Sequence, residues 1–317
     1  MDETIRLGIS SCLLGNAVRY NGGHQLDPFI TGTLGRFVEF VPVCPEVECG
    51  LGIPRESMRL VGTMDDPRLL THKSGIDHTE RMREWARKRV KELEKDGLCG
   101  FIFKSKSPSS GMERIRVYRP DGTGYVGTRP GIFAEAFMDH FPLLPVEEDG
   151  RLHDIGLREN FIEQIFVYRR WRNLVASAFT TGDLVAFHTD HKLLIMAHSI
   201  PHYRKMGALV AHARDLDRAY LIKEYEELLM QALRLKATVK KHVNVLQHMM
   251  GYFKNQLTGE EKQELLELID TYRNGYHPLI VPITLLNHYV RKYDQQYLAR
   301  QHYLTPHPVE LKLRNHA

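Results

Sequence analysis

Three short segments hold the residues of this chain whose types and spacing suit chemistry. They are Ser10-Ser11-Cys12-Leu13-Leu14-Gly15, Cys44-Pro45-Glu46-Val47-Glu48-Cys49-Gly50 and Ser105-Lys106-Ser107-Pro108-Ser109-Ser110-Gly111. Thiolates such as those of Cys12, Cys44 and Cys49 suit zinc or an iron–sulfur cluster better than magnesium or calcium. Three ligands rather than four leave one metal position open, which catalysis needs. The C-x4-C spacing is weakly diagnostic alone, and three unreactive thiols are the plain alternative. Glu46, two residues from Cys44, is placed to transfer protons beside a bound ligand. Its plain alternatives are a solvated carboxylate or an ion-pair partner for Arg55. Ser107 and Ser110 sit in a Pro-interrupted, Gly-ended turn, where ordinary turn chemistry is the plain alternative. Lys104 and Lys106 bring positive charge for an anionic or carbonyl-bearing substrate, or are surface lysines. Arg19 and Tyr20, followed by Asn21-Gly22-Gly23, read as a flexible rim that recognises a planar ring.

Each segment follows an apolar run that reads as a strand: Ile5–Ile9, Phe37–Val43 and Gly100–Lys104. Parallel neighbours would bring the three loops to one sheet edge, where open α/β sheets bind ligands. Cys99 starts the third run instead of ending it, about 15 Å from that exit, and reads as a buried structural thiol. Helices are expected over 27–38, 77–95 and 131–140, with a hairpin around Pro120-Asp121-Gly122. Residues 54–74 read as irregular, with a turn at Asp65-Asp66-Pro67. The expected class is α/β with a mainly parallel sheet over 1–145. Residues 142–154, rich in Pro, Glu, Asp and Gly, read as a linker. An all-α helical bundle over 155–310 is expected to follow. Its helices are read at 157–177, 183–199, 202–214, 216–234, 238–256, 260–272 and 280–293, with a capping box at Thr258-x-x-Glu261. About 305–317 read as a loose tail.

The 317 residues are 43% hydrophobic and 26% charged, ordinary for a globular protein of about two domains. No run approaches the ~20 apolar residues of a membrane span, so no membrane partner is expected. Met1-Asp2-Glu3-Thr4 lacks the basic and apolar regions of a signal peptide, and a cytoplasmic chain is expected by elimination. Four cysteines in this length form no disulfide framework. The net charge of +4 is unevenly spread: residues 1–150 carry 20 Lys+Arg against 22 Asp+Glu, and 151–317 carry 23 against 17 with 13 of the 17 histidines. That excess permits nucleic-acid binding without demonstrating it.

Taken together, three sets of motifs resemble the thiouracil desulfurase (TudS-like) family. They are Ser11-Cys12-Leu13-Leu14-Gly15 with Val18-Arg19-Tyr20-Asn21-Gly22, then Pro42-Val43-Cys44-Pro45-Glu46-Val47 with Gly50-Leu51-Gly52-Ile53-Pro54-Arg55, then Lys104-Ser105-Lys106-Ser107-Pro108-Ser109. The helical half resembles the YbgA-like domain, of unestablished role. The resemblance implies a 4Fe–4S cluster held by three cysteines, and hydrolytic removal of sulfur from a thiolated pyrimidine. Carried over by motif, Cys12 and Cys44 are ligands, Glu46 handles protons for the attacking water, and Ser107 hydrogen-bonds or relays a proton. Ser11, Arg19, Tyr20, Lys104, Ser109 and Ser110 are expected to line the substrate site. The chain departs from the family where Ser-Pro-Ser-Cys-Gly is usual and Ser109-Ser110-Gly111 stands instead. Cys49 is the expected substitute ligand. Rival readings are ligation by Ser110, a domain without a cluster, and a structural zinc site.

In the helical half, His188 and His191 share a face at i,i+3, a spacing that can bind metal. No acidic or cysteine partner accompanies them, so polar packing is expected. The basic stretches 169–172, 202–205 and 240–242 set positive charge beside rings, which suits RNA or DNA binding, although the solvated face of a helix is the favoured reading. The apolar runs 193–196 and 228–230 read as bundle core or as a homodimer seam. The expected function is iron–sulfur-dependent desulfuration of a thiolated nucleobase or nucleotide. The alternative is a non-catalytic iron–sulfur or nucleic-acid-binding protein.

Overall fold

The computed structural model describes residues 4–177 and 179–315. The chain divides into two compact units, Met1–Asp154 and Ile155–Ala317.

The first unit is α/β. Strands β1 (Ile5–Ser10) and β2 (Val38–Val43) pair in parallel, and one-turn helix α1 (Pro45–Glu48) follows β2 directly. A hairpin of β3 (Met58–Gly62) and β4 (Pro67–Thr71) precedes helix α2 (Thr79–Leu93). Strand β5 (Gly100–Phe103) comes next, then β6 (Ile115–Tyr118), β7 (Tyr125–Arg129), helix α3 (Ile132–His140) and β8 (Val146–Glu148). One sheet has the order β2-β1-β5-β8 with every pair parallel; the other is β4-β3-β6-β7 with only β3–β6 parallel.

The parallel sheet is built from the apolar runs seen in the sequence. Leu7, Ile9, Phe101, Ile102 and Phe103 are buried, as expected of strands covered on both faces. Phe101, Phe103, Phe133 and Phe137 pack their rings together beneath α3, with centroids 4.4–6.3 Å apart. Cys99 is buried at the start of β5, as read.

Three expectations are corrected in this unit. Residues 54–74 are not irregular, since they form the β3–β4 hairpin. The strands are five residues each, and the adjacent apolar pairs Leu60-Val61 and Leu69-Leu70 mask the period-2 pattern. Residues 142–154 are no linker, because β8 is the fourth strand of the parallel sheet. The expected helix over 27–38 is a π turn at Phe29–Thr33 and a 3-10 turn at Leu34–Arg36; Gly32 and Gly35 weaken an α-helix there.

The second unit is helical: α4 (Ile155–Ala176), α5 (Thr181–His198), α6 (Ile200–Ala211), α7 (Arg218–Arg234), α8 (Val239–Met250), α9 (Gly259–Arg273), α10 (Ile280–Lys292) and the short α11 (Gln296–Ala299). Thr258 and Glu261 form the expected capping box of α9. Leu193, Leu194, Ile195, Met196, Leu229 and Met230 are buried within this unit, so these runs are core and not an exposed seam. The segment after 305 is not loose up to 315. Leu311, Leu313 and Arg314 are buried, with Arg314 paired to Glu159 at 3.3 Å and to Glu163 at 3.4 Å. None of the described helices is long and apolar enough to cross a membrane.

Candidate active site

Parallel pairing of β2, β1 and β5 brings the three segments to one edge of the sheet, as the sequence suggests. After β1, Ser11–Leu14 form a 3-10 turn closed by Gly15 in the left-handed region at φ 91°. After β2, Cys44 is the N-cap residue of α1 and Pro45 opens it, where a proline lacking an N–H is tolerated. After β5, the Lys104 N–H donates to Ser10 Oγ at 2.8 Å, which ties the third exit to the first.

These exits enclose a cleft of about 530 Å³. Its walls include Cys12, Cys44, Glu46, Arg55, Ser107 and Ser110. Ser11, Arg19, Tyr20, Lys104 and Ser109 line it too, so the structure gathers every sequence-derived site residue except Cys49. Cys49, at the far end of α1, packs among Leu60, Leu69, Met82, Ile115, Val117 and Ile132. Its thiol donates to the Glu46 carbonyl at 3.3 Å.

A chain of hydrogen bonds crosses the cleft wall. Arg55 Nε donates to Glu46 Oε2 at 2.7 Å, and its Nη2 donates to the same oxygen. Arg55 Nη2 also donates to the Val18 carbonyl at 3.0 Å, tying the ion pair to the rim segment. Glu46 Oε1 accepts from Ser109 Oγ at 2.9 Å. Ser109 has then used its proton, so Ser107 Oγ donates across the 3.0 Å contact between them. Ser107 Oγ in turn accepts from the Ser110 N–H at 3.2 Å. Ser107 and Ser109 are therefore a directed wire ending on the Glu46 carboxylate, which Arg55 holds from the other side. The pairing of Glu46 with Arg55 was one of the sequence alternatives. Joined to the serines, it orients the carboxylate instead of neutralising a surface charge.

Burial pushes the Cys12 thiol up to about 11 against the opposing pull of Lys104, and burial raises Cys44 and Cys49 as well. All three are therefore protonated near neutrality until something displaces the proton. No cysteine is disulfide-bonded. Among the described residues no three His, Cys, Asp or Glu side chains converge as a metal cage. The cleft does hold three donors of another composition: Cys12 Sγ, Cys44 Sγ and Ser110 Oγ. Two thiols in one cleft suit a soft iron–sulfur group, and the hydroxyl supplies a third point.

Two features escaped the sequence reading. Lys104 does not reach free into the cleft, because its Nζ pairs with Asp149 at 2.9 Å while Asp149 also accepts from the Ser105 N–H at 2.7 Å. The anchor lies in the supposed linker, where no motif marked it. The second is a neighbouring cleft of about 610 Å³, lined by Arg59, His72, Lys106, Arg114, Arg116 and Tyr118 with no carboxylate in its walls. Both clefts share Met58, Lys106 and Pro108. Its charges lie on strands β3 and β6 and on the loops beside them, scattered through the sequence, so no basic run announces them.

In the helical unit the ring-and-charge stretch 169–172 is not a stacking surface. Trp171 is buried against Tyr225 at 4.8 Å, and Arg170 is half-buried and donates to the Pro306 carbonyl. His188 and His191 serve packing, as expected: His188 Nδ1 lies 3.1 Å from the Tyr225 hydroxyl, and His191 Nδ1 donates to the Phe187 carbonyl at 2.8 Å.

Comparison with known proteins matches a stretch of each unit to a family. The 2-thiouracil desulfurase family matches residues 7–149, and a family of proteins of unknown function (DUF1722) matches residues 192–308. The chain is 35% identical over 155 residues to the uncharacterized protein YbgA of Escherichia coli (strain K12), spanning 48% of this chain and 90% of that protein. It is 32% identical over 108 residues to the uncharacterized protein YbbK of Bacillus subtilis (strain 168), spanning 32% of this chain and 71% of that protein. A solved structure, a [4Fe-4S]-dependent thiouracil desulfidase TudS, aligns over 49% of this chain and 97% of its own at 24% identity, with a TM-score of 0.39 that carries no structural argument. The chain belongs to the 2-thiouracil desulfurase family through its first unit, joined to a DUF1722 domain of the YbgA kind.

Proposed function

We propose that the chain removes sulfur from a thiolated pyrimidine-type nucleobase by hydrolysis and releases sulfide. The observation that carries this reading is the meeting of two thiols, Cys12 and Cys44, with the Ser107–Ser109–Glu46 wire and Arg55 in one cleft. The family match over residues 7–149 supports it.

The reading implies a 4Fe–4S cluster, which Cys12 and Cys44 would hold. Bound there, the cluster would supply Lewis-acidic iron with affinity for the substrate's sulfur. The chain's own residues do the rest. Tyr20 and Arg19 at the rim receive the planar ring. Arg55 holds Glu46 in one orientation, so that its carboxylate accepts a proton from the attacking water. Water oxygen bonds to the carbon that carried sulfur, the C–S bond breaks, and sulfide leaves with the protons that water gave up. No electrons are exchanged. Ser107 and Ser109 pass the proton along their hydrogen bonds, a role that asks no change of charge from either hydroxyl.

The adjoining basic cleft favours a substrate that carries phosphate. Arg59, Lys106, Arg114 and Arg116 surround Tyr118 without a neighbouring carboxylate in the lining, a composition suited to the anionic part of a thiolated nucleotide, free or within RNA. Cytoplasmic action follows from the same reading, since uncrosslinked thiols persist in a reducing compartment.

The test is anoxic reconstitution followed by iron and sulfide analysis and a sulfide-release assay. The substrates are thiouracil, thiouridine monophosphate and a thiouridine-containing oligonucleotide. Cluster formation with sulfide release supports the reading, and a KM that falls with phosphate and rises with salt supports the basic cleft. A cluster-bearing protein that releases no sulfide from any of them overturns the reading in favour of a binding protein.

A further inference from the structure

Two side-chain atoms in the cleft are uncommitted: Cys12 Sγ and Ser110 Oγ make no hydrogen bond to any described residue. Cys44 Sγ faces the Val47 and Glu46 N–H groups at the start of α1, with the Val18 carbonyl 3.9 Å away. We propose that Ser110 Oγ, and not the Cys49 thiol, is the third protein donor to the cluster. The proposal rests on the desulfurase reading above, and it assigns the ligand that the spacing of cysteines would assign otherwise.

Ser110 is already in place. The Gly111 N–H bonds to the Ser107 carbonyl at 2.8 Å, and the Gly131 N–H bonds to the Gly111 carbonyl at 2.8 Å. The Phe133 N–H bonds to the Ser109 carbonyl at 2.9 Å, so the loop is seated on the start of α3. A Cβ at Gly131 would meet the Ser109 carbonyl at 2.7 Å, so the seat requires the bare glycine. The Ser110 hydroxyl is left as the free end of a fixed backbone.

Cys49 is the opposite. Its thiol is bonded within α1 and walled by apolar side chains. Turning it into the cleft means opening α1, whose bonds include Cys49 N–H to the Pro45 carbonyl at 3.0 Å and Leu51 N–H to the Glu46 carbonyl at 2.9 Å. It also means releasing Arg81, which donates to the Cys49 and Gly50 carbonyls. The same turn carries Glu46, so the movement that recruits Cys49 would misplace the carboxylate.

An oxygen donor differs chemically from a thiolate. As the iron–oxygen bond forms, the Ser110 proton goes to solvent and no electron moves. Oxygen is the harder ligand, so it holds ferrous iron less well than sulfur does. Replacing it with sulfur therefore tightens the cluster and raises its reduction potential.

The experiment uses the full chain, reconstituted anoxically, as wild type, Cys49→Val, Ser110→Ala and Ser110→Cys. Iron and acid-labile sulfide are counted after a fixed chelator challenge, and the potential is measured by dye titration. Circular dichroism checks folding, and Cys49→Val keeps the apolar volume filled. Cys49→Val should match wild type. Ser110→Ala should keep less than about half of the wild-type iron, and Ser110→Cys should keep at least as much as wild type with a higher potential. Loss of the cluster in folded Cys49→Val while Ser110→Ala retains it overturns the assignment, as does full retention in both. A wild type that takes up no cluster overturns the cofactor reading itself, and this assignment with it.

Discussion

The cleft of the α/β unit and the interior of the helical unit are built from the same kinds of side chain and put them to opposite uses. The helical half has 13 of the 17 histidines. In its interior His198 lies between the Leu235 carbonyl at 2.6 Å and Glu163 at 3.3 Å, and His242 meets the Tyr303 hydroxyl at 3.0 Å. Arg314 donates to the Tyr303 carbonyl and reaches both Glu159 and Glu163. Part of that capacity is spent inside the fold, while His191 Nε2, His307 Nε2 and Gln301 Oε1 stay buried without a hydrogen-bond partner among the described residues. The cleft has fewer such groups, but its unpartnered sulfur and hydroxyl face an opening that a ligand can enter. A site is marked by spare capacity at an open cleft, not by the number of ligand-type residues.

The largest test of this contrast is Glu46→Gln. It removes the proton acceptor and the charge that Arg55 pairs with, so sulfide release should fall by about 10²–10⁴-fold with a smaller loss of thermal stability in the α/β unit. A loss under tenfold would break the contrast. Next is Arg314→Met, which leaves Glu159 and Glu163 buried without their guanidinium. Breaking a buried pair costs about 3–5 kcal/mol. Urea denaturation followed by Trp171 fluorescence in a Trp85→Phe background should show that loss in the helical unit.

Acid sharpens the comparison further. Burial holds His188, His302 and His307 down to about 4 in the folded state. An unfolded imidazole takes its proton near 6.5, so between pH 6.5 and 4 the unfolded chain binds more protons. Stability of the helical unit should therefore decline as pH falls through that window, each unit of separation being worth about 1.4 kcal/mol. Fluorescence of Trp171 in equilibrium denaturation at pH 7 and pH 5 measures it; equal midpoints would contradict it. The smallest effect belongs to Thr258→Ala, which removes one side of the α9 capping box and should cost about 1 kcal/mol.

Much of the architecture was legible because it followed period and punctuation. The three loop-bearing strands were apolar runs ending in polar turns, and seven helices were separated by Pro, Gly or cap residues. What was hidden had composition at odds with its burial. β8 reads Val-Glu-Glu, and acidic residues are depleted in strands and interiors. Their burial is tolerated because the Met112 N–H donates to Glu148 at 2.8 Å and Arg151 Nε donates to Glu147 at 2.6 Å. Arg314 was hidden for the same reason, a charge whose partners lie 151 and 155 residues earlier in the chain. The site was legible as a set of loops, but the inward turn of Cys49 depends on the end of a one-turn helix, which spacing does not encode.

The two residues Glu148 and Asp149 grip the serine loop from both sides, Asp149 at Lys104 and Ser105 and Glu148 at Met112 and Glu113. During synthesis they leave the ribosome 39 residues after Ser110. At about 5–20 residues per second that is a delay of roughly 2–8 s. The cleft is thus the last part of its unit to be completed, and a nascent chain halted before Asp149 has every donor of the site but not the clamp that fixes the serine loop.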